Sequence, residues 1–370
     1  MRGSYGFGPL RPWLLGLLCW PVLGWAQATG ADAARAWREA NDAVGQFPRG
    51  HADVLKWERA QAPQTGGVAT AQSPAGLALA TAEAAVRQAW HAHRDLQRPL
   101  ARLGAQNVDR IAQGRWLELE PGVIRRVEDF DEVVEVAVQA RKAWTEAVAS
   151  RQAVQHLRAA QEAAHAASEL GRRMVQVGNW SALQNTPAQL ALATAQTDLR
   201  RAQVAATQAQ ARLLKVLQLA GLHAVAALPD QLPEPPSGTL SEAEFQQRQA
   251  RIQAQLPRAS ALAHQALAPV AFEAYQGAHA IARSARDDVL NLKTFVTDET
   301  VLHYNGMLKS TWELLGAAQS QSLAVASAIA AQRDFEIAQI DLHWLLLGGL
   351  PDPLVSLGGG AAEAASPAAH

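Results

Sequence analysis

Apolar and small residues recur at alternating spacings of three and four along the last long segment of the chain. Read backward from Gly349 they are Leu345, Leu342, Ala338, Phe335, Ala331, Ala328 and Ala324. A stripe of this kind occupies one face of a helix and predicts a seam against another helix. An earlier segment carries the same stripe in the same phase: Leu192, Ala195, Leu199, Ala202, Ala206, Ala209, Leu213, Val216 and Ala220. A shift of 129 positions carries Ala195 onto Ala324 and Leu213 onto Leu342. A glycine break precedes each stripe, Val177-Gly178-Asn179-Trp180-Ser181 in the first copy and Tyr304-Asn305-Gly306-Met307-Leu308 in the second. The pattern predicts two copies of a helical hairpin, with Gly178 and Gly306 at the same end of the molecule.

The arms leading into the two breaks have seams of their own. The first runs from about Ile124 to Val177 through Phe130, Val133, Ala137, Ala140, Trp144 and Ala147. After a change of register it resumes as Leu157, Ala160, Ala164, Ala167, Gly171 and Met174. The second is Ala271, Tyr275, Ala278, Ala282, Ala285, Val289, Leu292 and Val296, past Pro269. The return helix after Gly178 begins either at Ser181 or at Thr186-Pro187, where Thr186 with Gln189 forms a capping-box pattern. Ser241 with Glu244 is another such box, opening a helix to about Leu267 with a break near Pro257. Before the long arm, Leu77 to Gly114 reads as helix with a kink at Pro99. The expected organisation is a signal peptide at 1–28, an extension and linker at 29–76, a first helical repeat at 77–221, a proline-rich linker at 222–240, a second repeat at 241–350 and a disordered tail at 351–370. The expected fold is all-α, with long antiparallel hairpins and little or no β-sheet.

The first residues change the picture. Arg2 and Arg11, the apolar run Pro12 to Trp25 and then Ala26-Gln27-Ala28 read as a secretory signal peptide cleaved after Ala26 or Ala28. Leu18 ahead of Cys19 does not suit lipidation. After processing no cysteine remains, so no disulfide or thiolate site is expected. The 33 Lys and Arg nearly balance the 34 Asp and Glu, and no basic stripe follows a phosphate backbone, so nucleic acid is not an expected partner. Past the signal, no stretch reads as a membrane-crossing helix or as an alternating barrel strand.

The motif Tyr304-Asn305-Gly306-Met307-Leu308-Lys309-Ser310, followed by Trp312-Glu313-Leu314-Leu315 and Arg333-Asp334-Phe335, resembles the second repeat of TolC-type outer-membrane efflux proteins, heavy-metal efflux relatives in particular. Val177-Gly178-Asn179-Trp180-Ser181-Ala182-Leu183 and the helix ending Leu219-Ala220-Gly221 resemble the first repeat. The likeness covers about Leu79 to Gly349. It implies a trimer whose helices form a periplasmic tunnel below a β-barrel, and passive export of metal ions or small molecules. It also implies that Gly178, Asn179, Trp180, Ser181, Asn305, Gly306, Met307 and Leu308 form tip turns that meet a periplasmic adaptor of the membrane-fusion type. The departure lies at the other end. Spanning strands of about nine to eleven residues do not fit into Arg115 to Val123 or around Ala268-Pro269-Val270. Two functions follow: an efflux component working with an adaptor, or a barrel-less soluble periplasmic paralogue that serves as an interaction or scaffold module.

Catalysis is not expected. His91 and His93 are two apart on a helix, and His264, His279, His303 and His343 lack partners at ligand spacing. Three methionines make no copper site, so neither metal nor cofactor is expected. Asp129, Asp131, Glu132 and Glu135 read as dipole-complementing residues at a helix start. Arg286, Asp287 and Asp288 read as a solvated face, with a channel constriction as the alternative. Trp180 and Trp312, at or just past the breaks, read equally well as binding anchors or as residues packed back on their hairpins.

Overall fold

A computed structural model describes residues 77–351 and 354, less residues 121, 123–124, 222–225 and 237. The expected signal peptide with Cys19, the 29–76 extension and the tail beyond 354 lie outside the described residues. The elements in order are β1 (Leu77–Ala78), α1 (Ala82–Ala92), α2 (Gln97–Leu103), α3 (Ala105–Gln113), α4 (Phe130–Gln176), α5 (Ala182–Val216), β2 (Ala226–Ala227), α6 (Glu242–Gln253), α7 (Arg258–Ser284), a π-helical turn (Ala285–Leu290), α8 (Asn291–Asn305) and α9 (Thr311–Leu345). The fold is all-α, and the only strands among the described residues are the two-residue parallel pair β1 and β2, with Leu77 opposite Ala226 and Ala78 opposite Ala227.

The two return helices are copies in length as well as in sequence phase. Both α5 and α9 have 35 residues, and both open on a reciprocal capping box, Ser181 with Gln184 and Ser310 with Glu313. Ser181 therefore starts α5. Thr186 is inside the helix, donating its hydroxyl to the Ala182 carbonyl at 3.1 Å, and Pro187 lies within the helix rather than at its first position. Ser241 caps α6 with Glu244 in the same way.

Other expected boundaries move for local reasons. The chain enters α1 only at Ala82, because Thr81 accepts the Ala84 N–H at 3.1 Å as a cap. Pro99 falls in the first turn of α2, where a missing N–H costs nothing, so no kink results. The long arm starts at Phe130, six residues later than expected; Asp129 precedes it in the left-handed region without capping through its side chain. Pro269 does not break the chain: α7 runs straight through it.

In the bundle α5 packs along α4, α4 along α9, and α9 along α7 and α8. α4 has 47 residues, which at 1.5 Å rise is about 70 Å of helix. Its first half is buried almost all round, Val133, Val134, Val136, Ala137 and Val138 included, because α1 to α3 wrap it. Three buried tryptophans fasten that wrap by giving their indole N–H groups to backbone carbonyls: Trp90 to Val133 at 3.0 Å, Trp116 to Ile111 at 2.8 Å and Trp144 to Leu79 at 2.9 Å. A second cluster joins α6 and α7 to the end of α9. Phe245 stacks on Phe272 at 4.2 Å between centroids, and Tyr275 lies 5.6 Å from Phe335. The proline-rich linker is tied down too, by β2, by buried Leu232 and by its Pro233 carbonyl, which accepts from Gln332 at 2.6 Å.

α9 differs from the sequence expectation in one respect. By length and composition it is the one helix among the described residues apolar enough to cross a membrane, with a mean hydropathy of 1.3 over its best window. Here it lies between α4 and the α7–α8 arm. It also carries charge into the interior: Asp341 is buried in an ion pair with Lys142 of α4, and burial raises its carboxyl above the ordinary range.

Half-buried His343, on the same helix, gives a pH test. Burial first, and then the charges of Arg141 and Arg248, pull its imidazole from 6.5 to about 4. The folded chain thus keeps His343 neutral where the unfolded chain takes up a proton, so stability present above pH 6.5 is lost as the pH falls toward 4. Urea unfolding of His343→Gln should show a loss over this window that is smaller than that of the native chain by about 2 kcal/mol. Parallel pH profiles for the two proteins would contradict it.

Candidate functional site

The tip is built by two helix endings of one kind. At the end of α4 the Asn179 N–H reaches back to the Met174 carbonyl at 2.9 Å and the Gly178 N–H to Val175 at 3.0 Å. At the end of α8 the Leu308 N–H reaches His303 at 2.8 Å and the Met307 N–H reaches Tyr304 at 3.0 Å. Both are Schellman endings, which place one residue in the left-handed region. In the first tip that residue is Gly178, with φ 79. In the second it is Met307, with φ 59, and not the neighbouring Gly306. Gly178 and Met307 each stand three residues ahead of a capping serine, so the breaks correspond at these two positions and Gly306 is offset by one.

Trp180 and Trp312 bring the tips together. Their ring centroids are 4.3 Å apart with planes inclined by 33°, which places both turns at the same end of the bundle. Neither tryptophan is fully exposed. Trp180 also covers Gly171, on the last turns of α4. Gly171 and Asn185 are each seven residues from Gly178, on opposite arms, and the Asn185 amide fills the space that a larger residue at 171 would occupy. That equal spacing about the turn is a signal in the sequence, and it would have identified the pair. Two polar atoms buried here, Asn185 Oδ1 and Trp312 Nε1, have no hydrogen-bond partner among the described residues.

Of the eight tip residues expected from the sequence, Gly178, Asn179, Ser181, Asn305, Gly306, Met307 and Leu308 are exposed and Trp180 is half-buried. Met307 is 93% exposed and Leu308 75%, and Val177, Leu183 and Leu302 are exposed beside them. Sequence reasoning left out these last three. Charge frames this apolar knob. Hydrogen bonds from Arg172 and then Arg173 hold Glu169 at about 2, and Lys309, followed by the Ser310 backbone, holds Glu313 at about 2. Both carboxylates stay ionised through the neutral range, so the tip offers fixed charge and apolar surface rather than a proton donor or acceptor near neutrality.

Other candidates do not converge. Among the described residues no group of three or more His, Cys, Asp or Glu is placed to hold a metal ion. His264 bonds the Leu345 carbonyl at 2.7 Å and His279 packs edge-on against Phe335. Asp131 and Glu132 stand in the first turn of α4. Arg286, Asp287 and Asp288 are exposed in the π turn, with Arg286 paired to Asp287 at 2.7 Å.

No family model and no curated protein matches the chain. Among solved structures, one described as crystal structures of CusC and the conformational changes accompanying folding and transmembrane channel formation is similar over 72% of this chain and 92% of that one. The identity is 14% and the TM-score 0.42.

The tip geometry sets a stability expectation. A Cβ at position 171 overlaps the Asn185 amide, so Gly171→Ala should lower the unfolding free energy by about 1–3 kcal/mol, as overpacking does. The double substitution Gly171→Ala with Asn185→Ala should recover most of it. Thermal melts in which the single substitution is neutral would mean that the hairpin arms stand farther apart at Gly171.

Proposed function

We propose that the chain is a helical component of a periplasmic export assembly, of the type that its resemblance to TolC-type efflux proteins implies, and that its paired tip turns dock an adaptor protein. The observation that carries this reading is the tip itself: two turns fastened side by side through Trp180 and Trp312, with Met307 and Leu308 projecting into solvent. A rigid apolar projection with a charged rim suits a groove between a partner's helices. The outer helices of the bundle support self-association. α5 exposes Leu190 and Val204, and α8 exposes Leu292 and Phe295. Packing the α5 edge of one copy against the α8 edge of the next is a heterologous contact, which closes into a ring if the rotation allows; the resemblance implies three copies. The role is passive export, of metal ions or small molecules by the same resemblance, at the periplasmic side of the outer membrane.

A second reading is favoured by the end away from the tip. The connection between α6 and α7 is a short turn at Ala254–Pro257, and α7 is continuous through Pro269. This supports a soluble periplasmic scaffold that keeps the helical docking surface without itself forming a pore.

The two readings share the tip and separate on the membrane. In a pull-down with a periplasmic adaptor, Met307→Asp combined with Leu308→Asp should reduce capture at least tenfold while leaving helical circular dichroism and melting unchanged. Undiminished capture would remove the tip from the reading. Recovery of the native chain only from detergent-extracted outer membranes, with conductance in planar bilayers, would support the channel; recovery in the detergent-free periplasmic fraction would support the scaffold.

A further inference from the structure

The arm leading into the second tip is one residue out of step with its own sequence. Ala271, Tyr275, Ala278 and Ala282 are buried along α7, and the same spacing of three and four continues through Ala285 to Val289, Leu292 and Val296. Beyond the π turn those apolar residues face solvent, Leu292 64% exposed and Val296 51%. The residues that meet α9 instead are each the next one along or its neighbour. Lys293 Nζ donates to Ser320 at 2.8 Å, Thr294 accepts from Gln321 at 3.1 Å, and the Thr297 hydroxyl donates to the Ala317 carbonyl at 3.4 Å. The cause is the wide turn at Ala285–Leu290. A π turn takes one residue more than an α turn, so everything after it is rotated by about 100°. The Asn291 side chain supports that turn by donating to the Asp287 carbonyl at 2.7 Å.

The other end of α8 shows the same displacement independently. The left-handed position that ends the helix falls on Met307, although Gly306, which adopts this conformation without strain, stands one residue before it at φ −82. The apolar stripe and the glycine therefore agree on one register. The fold holds the other, displaced by one residue in the same direction at both places.

We propose that α8 is an element with two registers. The π turn holds a one-residue slip. Its relaxation to α-helix turns α8 about its axis, brings Val289, Leu292 and Val296 into the seam against α9, and passes the left-handed position to Gly306. In the slipped register the apolar strip of α8 is presented outward; in the relaxed register it is covered by the chain itself. The wide turn is thus a switch that decides whether this face is available for association, and it operates whether or not the tip docks an adaptor.

Maleimide labelling of Val296→Cys and Thr297→Cys, each in the full chain with Cys19→Ser, tests this. In the native background position 296 should react faster than 297. Deleting Asp288 removes the extra residue and should invert that order. Gly306→Ala meets only ordinary contacts in the slipped form, the nearest atom being 3.6 Å away, but it strains the relaxed form. It should slow labelling at 297 about fivefold while leaving 296 unchanged. Met307→Gly, which relieves the slipped form, should act in the same direction. If the deletion leaves 296 the faster site, or Gly306→Ala and Met307→Gly leave both rates unchanged, α8 has one register and the proposal fails. Should the deletion variant lose helicity, the two substitutions at 306 and 307 decide alone.

Discussion

Alanine seams set the terms for this fold. They allow long helices to approach closely but bury little apolar area for each turn, so a hairpin of α4 with α5, or of α8 with α9, gains little by itself. The chain compensates at one end. Around the first half of α4, the short helices α1 to α3 supply valine and leucine, and the buried indoles of Trp90, Trp116 and Trp144 each donate to a backbone carbonyl. The aromatic cluster of Phe245, Phe272, Tyr275 and Phe335 does the same for the second repeat. Away from these clusters the helices are thinly packed, and α8 buries only Thr300.

Function follows from this uneven distribution. A well-packed base holds slender hairpins whose far ends need a fastening of their own, and the Trp180–Trp312 contact supplies it. Large apolar residues are left exposed at the tip, on α5 and α8, and along α7 at Leu262, Val270 and Ile281.

Much of this was legible in the sequence, for identifiable reasons. Periodicity reported the return helices well, since α5 and α9 have equal lengths and one phase, and the Ser241 capping box marked its helix start correctly. Proline was misleading three times. Pro99 sits harmlessly in a first turn, while Pro187 and Pro269 are carried inside helices whose packing outweighs the lost hydrogen bond. The wrap of α1 to α3 was invisible because it depends on contacts distant in sequence, such as Trp144 with Leu79. The tip residues were marked by glycine, yet Gly306 is not where the left-handed turn lies. A single wide turn some twenty residues earlier had shifted the register, and no local pattern announces it.

The pairing of β1 with β2 bears on the order of assembly. Two residues on each side hold Leu77 against Ala226, and the whole first repeat lies between them. Bringing such distant points together costs loop-closure entropy that two short strands cannot offset early in folding. Once α4 and α5 have closed on each other, the intervening chain is already shortened and the same contact forms across a small gap. The parallel pair is therefore a late clasp, which adds to the hold that buried Leu232 and the Gln332–Pro233 hydrogen bond already give the proline-rich linker.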